Sequence, residues 1–221
     1  MKKCLVDAYK LTDEDFLRMA SQATPSWKDG STAVTVLVLD DVRIYCANVG
    51  DSKAFLCRRS ASGGKLAFIP LTKEHSPSIF EERKRIEKAG GSVRDGRVMG
   101  VVEVSRSIGD GRFKHCGVIS IPDVVRCSLT ENDLFIIMAC DGLWKAFTIE
   151  EAARCVVQVL EDDTLQLPED GIQDTNFEST RPASVKEARY GAACNRLAVE
   201  AVKRNCTDNV TVMVVDIFQT S

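Results

Sequence analysis

The chain has 221 residues, of which 44% are hydrophobic and 28% charged, a composition typical of soluble globular proteins rather than disordered or fibrous ones. The net charge of −3 and a pI near 5.6 give no overall positive field that would attract nucleic acid, so no nucleic acid partner is expected. The length suffices for one large domain with a buried core, which we place at residues 1–221.

The sequence shows no pattern for export or membrane insertion. The longest apolar stretches, such as residues 134–140, are strand-sized and far shorter than the ~20 residues needed to cross a bilayer. Residues 1–7 contain charged residues at positions 2, 3 and 7 and no hydrophobic region of the kind found in signal peptides, so we expect no signal peptide. Nine cysteines without a Cys-x-x-Cys pair favour a reducing compartment, and we expect a cytoplasmic or nuclear protein without membrane association.

The N-terminal part of the chain predicts one helix followed by strands. Thr12 has the features of an N-cap, and the acidic residues 13–15 after it suit the first turn of a helix. Beyond a linker at Pro25, three strands are expected to form an antiparallel meander: residues 32–39, 43–49 and 53–57, joined by turns at 40–41 and 50–52.

The middle of the chain mixes strands with a helix. A polar loop is predicted at residues 58–64. Ser76-Pro77 is expected to open a helix that Gly90-Gly91 ends, and Asp95-Gly96 is typical of a hairpin turn. Further strands are predicted at residues 66–71, 124–127 and 134–140.

The C-terminal part predicts two helices whose starts both match the capping box: Thr148 with Glu151, and Ser184 with Glu187. The segment between them, residues 161–183, is acidic and contains prolines, and it predicts a surface insertion. A strand at residues 210–217 follows. Because strands are grouped early and helices late, the fold class is α+β rather than a doubly wound parallel sheet.

Three aspartates stand at the borders of apolar runs, beside turn-forming residues: Asp51, Asp141 and Asp208. Taken singly, such an aspartate is more often a turn residue than a ligand. Together, three carboxylates are the oxygen ligands that Mg²⁺ or Mn²⁺ prefers. The two histidines, His75 and His115, lack ligand spacing, so a zinc site of His and Cys is not expected.

A catalytic serine is disfavoured. Ser31, Ser52 and Ser107 lie in no Gly-x-Ser-x-Gly elbow, and neither histidine has a partner visible in the sequence. We therefore expect turn or cap roles for these serines and a structural role for His75.

Seven strings, in order across nearly the whole chain, resemble the ordered motifs of the type-2C metal-dependent serine/threonine protein phosphatases. They are Lys28-Asp29-Gly30-Ser31-Thr32-Ala33, Ala47-Asn48-Val49-Gly50-Asp51-Ser52, Leu71-Thr72-Lys73-Glu74-His75, Arg85-Ile86-Glu87-Lys88-Ala89-Gly90-Gly91, Val104-Ser105-Arg106-Ser107-Ile108-Gly109-Asp110, Ala139-Cys140-Asp141-Gly142-Leu143-Trp144 and Asp208-Asn209-Val210-Thr211-Val212. The shared order makes the resemblance specific.

The resemblance implies a β-sandwich of two antiparallel sheets flanked by helices, missing its N-terminal strands, with two core Mg²⁺ or Mn²⁺ ions in the complete domain. Asp141 and Asp208 match family aspartates that hold the core metals and serve catalysis. Asp51 matches an aspartate of an additional, weaker metal site. Gly142 would let the backbone approach the metal centre, because it has no Cβ.

The implied reaction is hydrolysis of phosphoserine or phosphothreonine in proteins by a metal-activated water, without a covalent phosphoenzyme. The implied partners are phosphorylated proteins, including components of kinase signalling, and the complete protein is expected to be a monomer. A flap is expected at residues 72–97. Its Arg83 and Arg94, together with Lys145, are candidates for binding substrate phosphate.

Lys145 departs from the family pattern, in which many members have an aspartate that helps to bind the additional metal. An ammonium there would repel a divalent cation, so the additional site is expected to be weak or empty, and Lys145→Asp is expected to strengthen it. The alternative is that Lys145 points to solvent and contacts substrate phosphate.

The sequence contains no counterpart of the family's Phe-Asp-Gly-His-Gly-Gly type motif, which supplies the aspartate that bridges both metals. The resemblance therefore predicts that the chain is an N-terminally truncated phosphatase domain, nearly inactive and prone to association by itself. The alternative is a short isoform that acts as a non-catalytic pseudophosphatase binding module. A hydrolase of small phosphorylated metabolites is disfavoured, because no compact phosphate-binding glycine loop is present.

Overall fold

The computed structural model describes residues 1–40, 42–60, 65–164 and 184–217. They fall into two compact units, unit 1 with Met1–Ala54 and Pro70–Glu131, and unit 2 with Phe55–Ile69 and Asn132–Ser221. Parts of three predicted segments lie outside the described residues: position 41 of the first turn, positions 61–64 of the polar loop and positions 165–183 of the acidic insertion.

The helices and strands of the described residues follow the chain in this order: α1 (Lys2–Gln22), β1 (Gly30–Ser31), β2 (Ala33–Leu39), β3 (Arg43–Val49), β4 (Lys53–Arg59), β5 (Leu66–Pro70), α2 (Phe80–Lys88), β6 (Val93–Arg94), β7 (Arg97–Val98), β8 (Ile108–Gly109), β9 (Asp123–Ser128), β10 (Asp133–Ala139), α3 (Asp141–Ala146), α4 (Ile149–Leu160), α5 (Val185–Lys203) and β11 (Val212–Asp216). A 3-10 helix covers Gly111–Cys116. Each strand predicted from the sequence is present, with ends within two residues of the expected ones.

In unit 1, the first helix is longer than predicted. It begins at Lys2, so Thr12 lies within it and the expected N-cap at Thr12 is wrong. Leu5 and Tyr9, one turn apart on α1, pack against Ala47 and Val49 of β3. This contact stabilises the helix well before Thr12, and tertiary packing outweighs a local capping preference.

Only part of the predicted meander forms. β2 and β3 pair antiparallel over their whole length, from Ala33 opposite Val49 to Leu39 opposite Arg43, and β9 pairs with the other edge of β3. The third expected member, β4, instead belongs to the four-stranded sheet with the order β11-β10-β4-β5. Gly50, at φ +95°, turns the chain between β3 and β4 in a conformation that favours glycine.

The predicted flap of unit 1 contains α2 and a short hairpin. The helix begins at Phe80 rather than at Ser76-Pro77, because residues 76–79 form a turn in which the Ile79 N–H donates to the Ser76 carbonyl. The hairpin pairs β6 with β7. Asp95 and Gly96 both have positive φ, as the expected two-residue turn requires.

Unit 2 has one layer of helices on a sheet. Phe135, Ile137 and Ala139 alternate along β10, and this face packs with the buried residues of α4 and α5. The start of α4 is the predicted capping box: the Thr148 hydroxyl accepts from the Glu151 N–H, and the Glu151 carboxylate accepts from the Thr148 N–H. The Ser184 hydroxyl accepts from the Glu187 N–H at the start of α5.

The antiparallel sheets flanked by helices confirm the α+β class. Within the described residues, no helix combines the length and the hydropathy needed to cross a membrane.

Candidate active site

Asp141 in unit 2 is positioned by the junction of a strand and a helix. β10 ends at Ala139, and Asp141 is the first residue of α3, a helix that the sequence did not predict. The Cys140 N–H donates to the Thr211 carbonyl at 3.2 Å, which ties this junction to the residues just before β11. The Asp141 side chain stays 30% exposed, so it faces the surface from the end of a buried strand.

Gly142 allows the start of α3 to approach the turn that carries Asp208. A Cβ at Gly142 would lie 2.2 Å from the Asn209 carbonyl oxygen, a distance that no side chain tolerates. Two thiols cross the same junction, since Cys206 donates to the Gly142 carbonyl and Cys140 donates to the Asn209 carbonyl, each at 3.1 Å. The absence of a side chain at Gly142 therefore fixes the separation between the two aspartate-bearing segments.

Lys145 joins the two aspartates. Its Nζ lies 2.6 Å from Asp141 Oδ2 and 2.7 Å from Asp208 Oδ2. Hydrogen bonds to Asp141 and then to Asp208 raise the pKa of Lys145. The hydrogen bond from Lys145, together with one from the Asn209 N–H, lowers the pKa of Asp208. The sequence offered repulsion of a metal or contact with phosphate as roles for Lys145, and it gave no sign that this lysine would pair with both carboxylates.

The two carboxylates suit a hard cation in ligand type. Both are oxygen donors directed at one positive charge, and Mg²⁺ and Mn²⁺ prefer such ligands. Among residues 1–40, 42–60, 65–164 and 184–217, no three His, Cys, Asp or Glu side chains are grouped so as to hold a metal ion. Within the described residues, Asp141 and Asp208 therefore offer two carboxylates that could form part of a coordination sphere.

Asp51 belongs to unit 1 and follows the Gly50 turn at the end of β3. A Cβ at Gly50 would lie 2.2 Å from the Thr32 methyl group, so this turn needs glycine for space as well as for its φ. The Ser52 hydroxyl lies 2.8 Å from the Thr32 hydroxyl, which holds the other side of the turn. The Asp51 residue itself is partly exposed.

His75, which the sequence left without a partner, is bonded through both ring nitrogens. It is fully buried, its Nδ1 accepts from the Gly50 N–H at 3.1 Å, and its Nε2 lies 3.1 Å from Asp123 Oδ2. Burial, and then the charge of Arg106, lower the pKa of His75. No sequence signal could have found this pair, because Asp123 lies 48 residues further along the chain.

The arginines of the predicted flap, together with the nearby Arg106, fall into two groups. Arg83 on α2 is exposed and pairs with Glu87 one turn away, and Arg94 on β6 is exposed. Arg85 and Arg106, by contrast, bind the buried carboxylate of Glu82. Arg83 and Arg94 are thus exposed, and their contact with substrate phosphate stays a prediction, whereas Arg85 is a structural residue.

Comparisons with known proteins agree with these features. The family model described as protein phosphatase 2C matches residues 1–210. The integrin-linked kinase-associated serine/threonine phosphatase 2C of Mus musculus is 56% identical over 217 residues, which cover 98% of this chain and 52% of that protein. In the sequence, residues 94–98 and 144–147 predict a resemblance to the integrin-linked kinase-associated phosphatases within this family. The 56% identity confirms that prediction.

Two solved structures show the same fold. A serine-threonine phosphatase 2C from Toxoplasma gondii has a TM-score of 0.74 at 22% identity, covering 97% of this chain and 66% of that one. A sex determining protein from C. elegans has a TM-score of 0.76 at 24% identity, covering 97% of this chain and 46% of that one. The chain spans about half the length of the curated relatives it matches.

Proposed function

Because the chain belongs to the protein phosphatase 2C family, we propose that the whole protein hydrolyses phosphoserine and phosphothreonine in proteins with the help of Mg²⁺ or Mn²⁺. The observation that carries this proposal is the meeting of Asp141 and Asp208 at a single positive charge, the Lys145 ammonium. Carboxylate oxygens are the ligand type that such divalent cations prefer, and these two lie close enough to contact one ammonium.

In this proposal, Asp141 and Asp208 contribute carboxylate oxygens to the two core ions. When bound, such ions supply Lewis-acid activation of water and neutralise charge on the phosphoryl group. Gly142 keeps the two carboxylates at a fixed separation, because α3 can contact the Asn209 carbonyl only without a Cβ. Asp51 contributes to an additional, weaker cation site.

Arg83 and Arg94 are the residues of unit 1 that we propose to meet substrate phosphate. Both are exposed, and a guanidinium forms paired hydrogen bonds with phosphate oxygens. The proposed partners are phosphorylated proteins, among them components of kinase signalling, in line with the name of the relatives. We also propose that the whole protein is a cytoplasmic or nuclear monomer.

The 221 residues alone are proposed to have little activity. Two divalent ions need more oxygen ligands than two aspartates supply, and the described residues show no group of three or more side chains that could hold a metal ion. Added ligands from the whole protein would be required for a stable pair of ions.

The test is a phosphate-release assay on the whole protein with phosphoserine, phosphothreonine and phosphotyrosine peptides. We expect turnover of the first two in Mn²⁺ or Mg²⁺, and its loss in excess chelator and in Asp141→Asn. Glu150→Gln, which removes an exposed charge on α4 that pairs with Arg154 one turn away, serves as the matched control and should retain activity. Full activity in chelator, or in Asp141→Asn, would contradict the proposal, and an inactive but folded wild type would favour a non-catalytic binding module.

A further inference from the structure

His75 links the turn that carries Asp51 to Asp123, the first residue of β9. Its backbone N–H donates to the Gly50 carbonyl at 3.1 Å, and its Nδ1 accepts from the Gly50 N–H at 3.1 Å. Both polar groups of the Gly50 backbone are therefore bonded to one buried residue. Gly50 is followed directly by Asp51, so any shift of His75 is transmitted to the aspartate through a single peptide link.

A second pair of bonds holds the same segment. The Asn48 amide donates to the Lys73 carbonyl at 2.7 Å, and its carbonyl oxygen accepts from the Lys73 N–H at 3.3 Å. Lys53, on the far side of the turn, forms an ion pair with Glu74 at 2.9 Å. Residues 73–75 thus run alongside the end of β3 and bind the chain on both sides of Asp51.

The other ring nitrogen of His75 is fixed by an acid. Since Nδ1 accepts from Gly50, Nε2 carries the proton and donates to Asp123. Asp123 is in turn contacted by Arg106, which also binds the buried Glu82. The Ser105 N–H donates to the His75 carbonyl at 2.9 Å. The Gly50 N–H and the Asp123 carboxylate therefore favour one tautomer of the imidazole, and Asp123 and Ser105 hold His75 from outside the turn.

We propose that His75 is a positioning residue that fixes the Gly50-Asp51-Ser52 turn and so holds the Asp51 carboxylate for a divalent cation. The proposal rests on the proposed function, because it takes Asp51 to be a cation ligand. Groups that orient a metal ligand from outside the coordination sphere commonly change metal affinity by about 10–100-fold when removed. His75 needs no contact with the cation to have such an effect.

Two substitutions separate the two bonds of the ring. In His75→Asn the side-chain oxygen occupies the place of Nδ1 and can accept from Gly50, but the side chain is too short to reach Asp123. In His75→Gln the amide nitrogen occupies the place of Nε2 and can donate to Asp123, but no acceptor faces Gly50. Both are buried polar residues of similar size, so each serves as the control for the other.

The experiment measures Mn²⁺ binding to the whole protein by calorimetry, with thermal melting of each variant alongside. We expect His75→Gln to weaken the Asp51-dependent binding step about tenfold and His75→Asn to weaken it much less. In an Asp51→Asn background, which should lack this step, neither substitution should change Mn²⁺ binding further. Asp123→Ala removes the same bond as His75→Asn while leaving the ring in place, so it should likewise weaken the step much less than His75→Gln does.

Equal Mn²⁺ affinity in His75→Gln and the wild type would overturn the proposal. An equal loss in His75→Gln and His75→Asn that follows the loss in melting temperature would also overturn it, since this indicates a role in stability alone. If Asp51→Asn leaves Mn²⁺ binding unchanged, the assignment of Asp51 as a ligand fails and the positioning role fails with it. Phosphopeptide turnover of Asp51→Asn then shows whether the proposed reaction itself survives.

Discussion

The ammonium of Lys145 lies within 2.7 Å of carboxylate oxygens of both Asp141 and Asp208, so two acids share one positive charge. A divalent cation that binds these acids must displace the ammonium or share the carboxylates with it. Lys145 is 51% exposed, and exposed ion pairs are weak because water screens them. We therefore expect the lysine to lower the affinity for metal modestly rather than to abolish it.

Replacing Lys145 should accordingly strengthen metal binding in the whole protein. In Lys145→Met the competing charge is gone, and the apparent Mn²⁺ affinity should rise by up to about fivefold. Lys145→Asp adds a ligand as well and should raise it further. Lys145→Arg keeps the charge and is the control. Titration of activity and of binding with Mn²⁺ checks this, and an unchanged Mn²⁺ dependence with a higher KM for phosphopeptide would instead support phosphate contact by Lys145.

Two glycines on helices of unit 2 should respond to alanine with opposite signs. At Gly142 a Cβ would collide with the Asn209 carbonyl, so Gly142→Ala should destabilise unit 2 and weaken Mn²⁺ binding by displacing the Asp208 turn. At Gly191, within α5, a Cβ meets nothing within 4 Å, so Gly191→Ala should stabilise the helix by about 1 kcal/mol. Chemical denaturation of both variants decides the matter, and a neutral Gly142→Ala would contradict the close approach.

Secondary-structure elements that depend on local chemistry could be predicted from the sequence. The hairpin turn at Asp95-Gly96 has the positive φ angles that this pair favours, and the Thr148 capping box starts α4 where expected. The bounds of β3 were also predicted, since a short apolar run is flanked by turns on both sides.

Elements that depend on distant partners could not be predicted. The start of α1 is set by the packing of Leu5 and Tyr9 on β3. These partners are far apart in the sequence, since Tyr9 and Ala47 are 38 residues apart. β4 joins the sheet of β10 because of side-chain burial that no local pattern encodes. In the candidate site, the family resemblance predicted Asp141 and Asp208 as metal ligands. The pairing of both aspartates with Lys145 was visible only in the structure, because Asp208 lies 63 residues beyond Lys145.

The helix α2 is bound to its surroundings by a buried acid, and this predicts a pH dependence. Burial by itself raises the pKa of Glu82, but hydrogen bonds from Arg106, Arg85 and Ser105 outweigh it and lower the pKa below the ordinary value of 4.5. A lowered folded-state pKa means that the stabilisation is complete above pH 4.5 and is lost as the pH falls below it.

In Glu82→Gln this acid-dependent loss should be smaller than in the wild type, and the free energy of unfolding at neutral pH should fall by roughly 3 kcal/mol, because Arg106 loses its buried partner. Glu87→Gln, on the exposed face of α2, removes only a surface pair with Arg83 and should change little. Urea denaturation of the three proteins at several pH values below and above 4.5 tests this. Identical pH profiles for Glu82→Gln and the wild type would contradict it.

On the scale of the whole molecule, the residues to which we assign roles come from both compact units. Asp141 and Asp208 belong to unit 2, whereas Asp51, His75 and Arg83 belong to unit 1. The match to the mouse relative covers 98% of this chain but only 52% of that relative. The activity we propose is therefore assigned to the whole protein, with the two aspartates of unit 2 as its metal ligands.

The most direct test is calorimetric titration of the whole protein with Mn²⁺, comparing the wild type with Asp141→Asn, Asp208→Asn and the control Glu150→Gln. Since each aspartate is proposed as a ligand, both Asp variants should bind Mn²⁺ at least tenfold more weakly and lose phosphopeptide hydrolysis in parallel, while Glu150→Gln binds as the wild type does. Unchanged Mn²⁺ affinity in the two folded Asp variants would contradict the account.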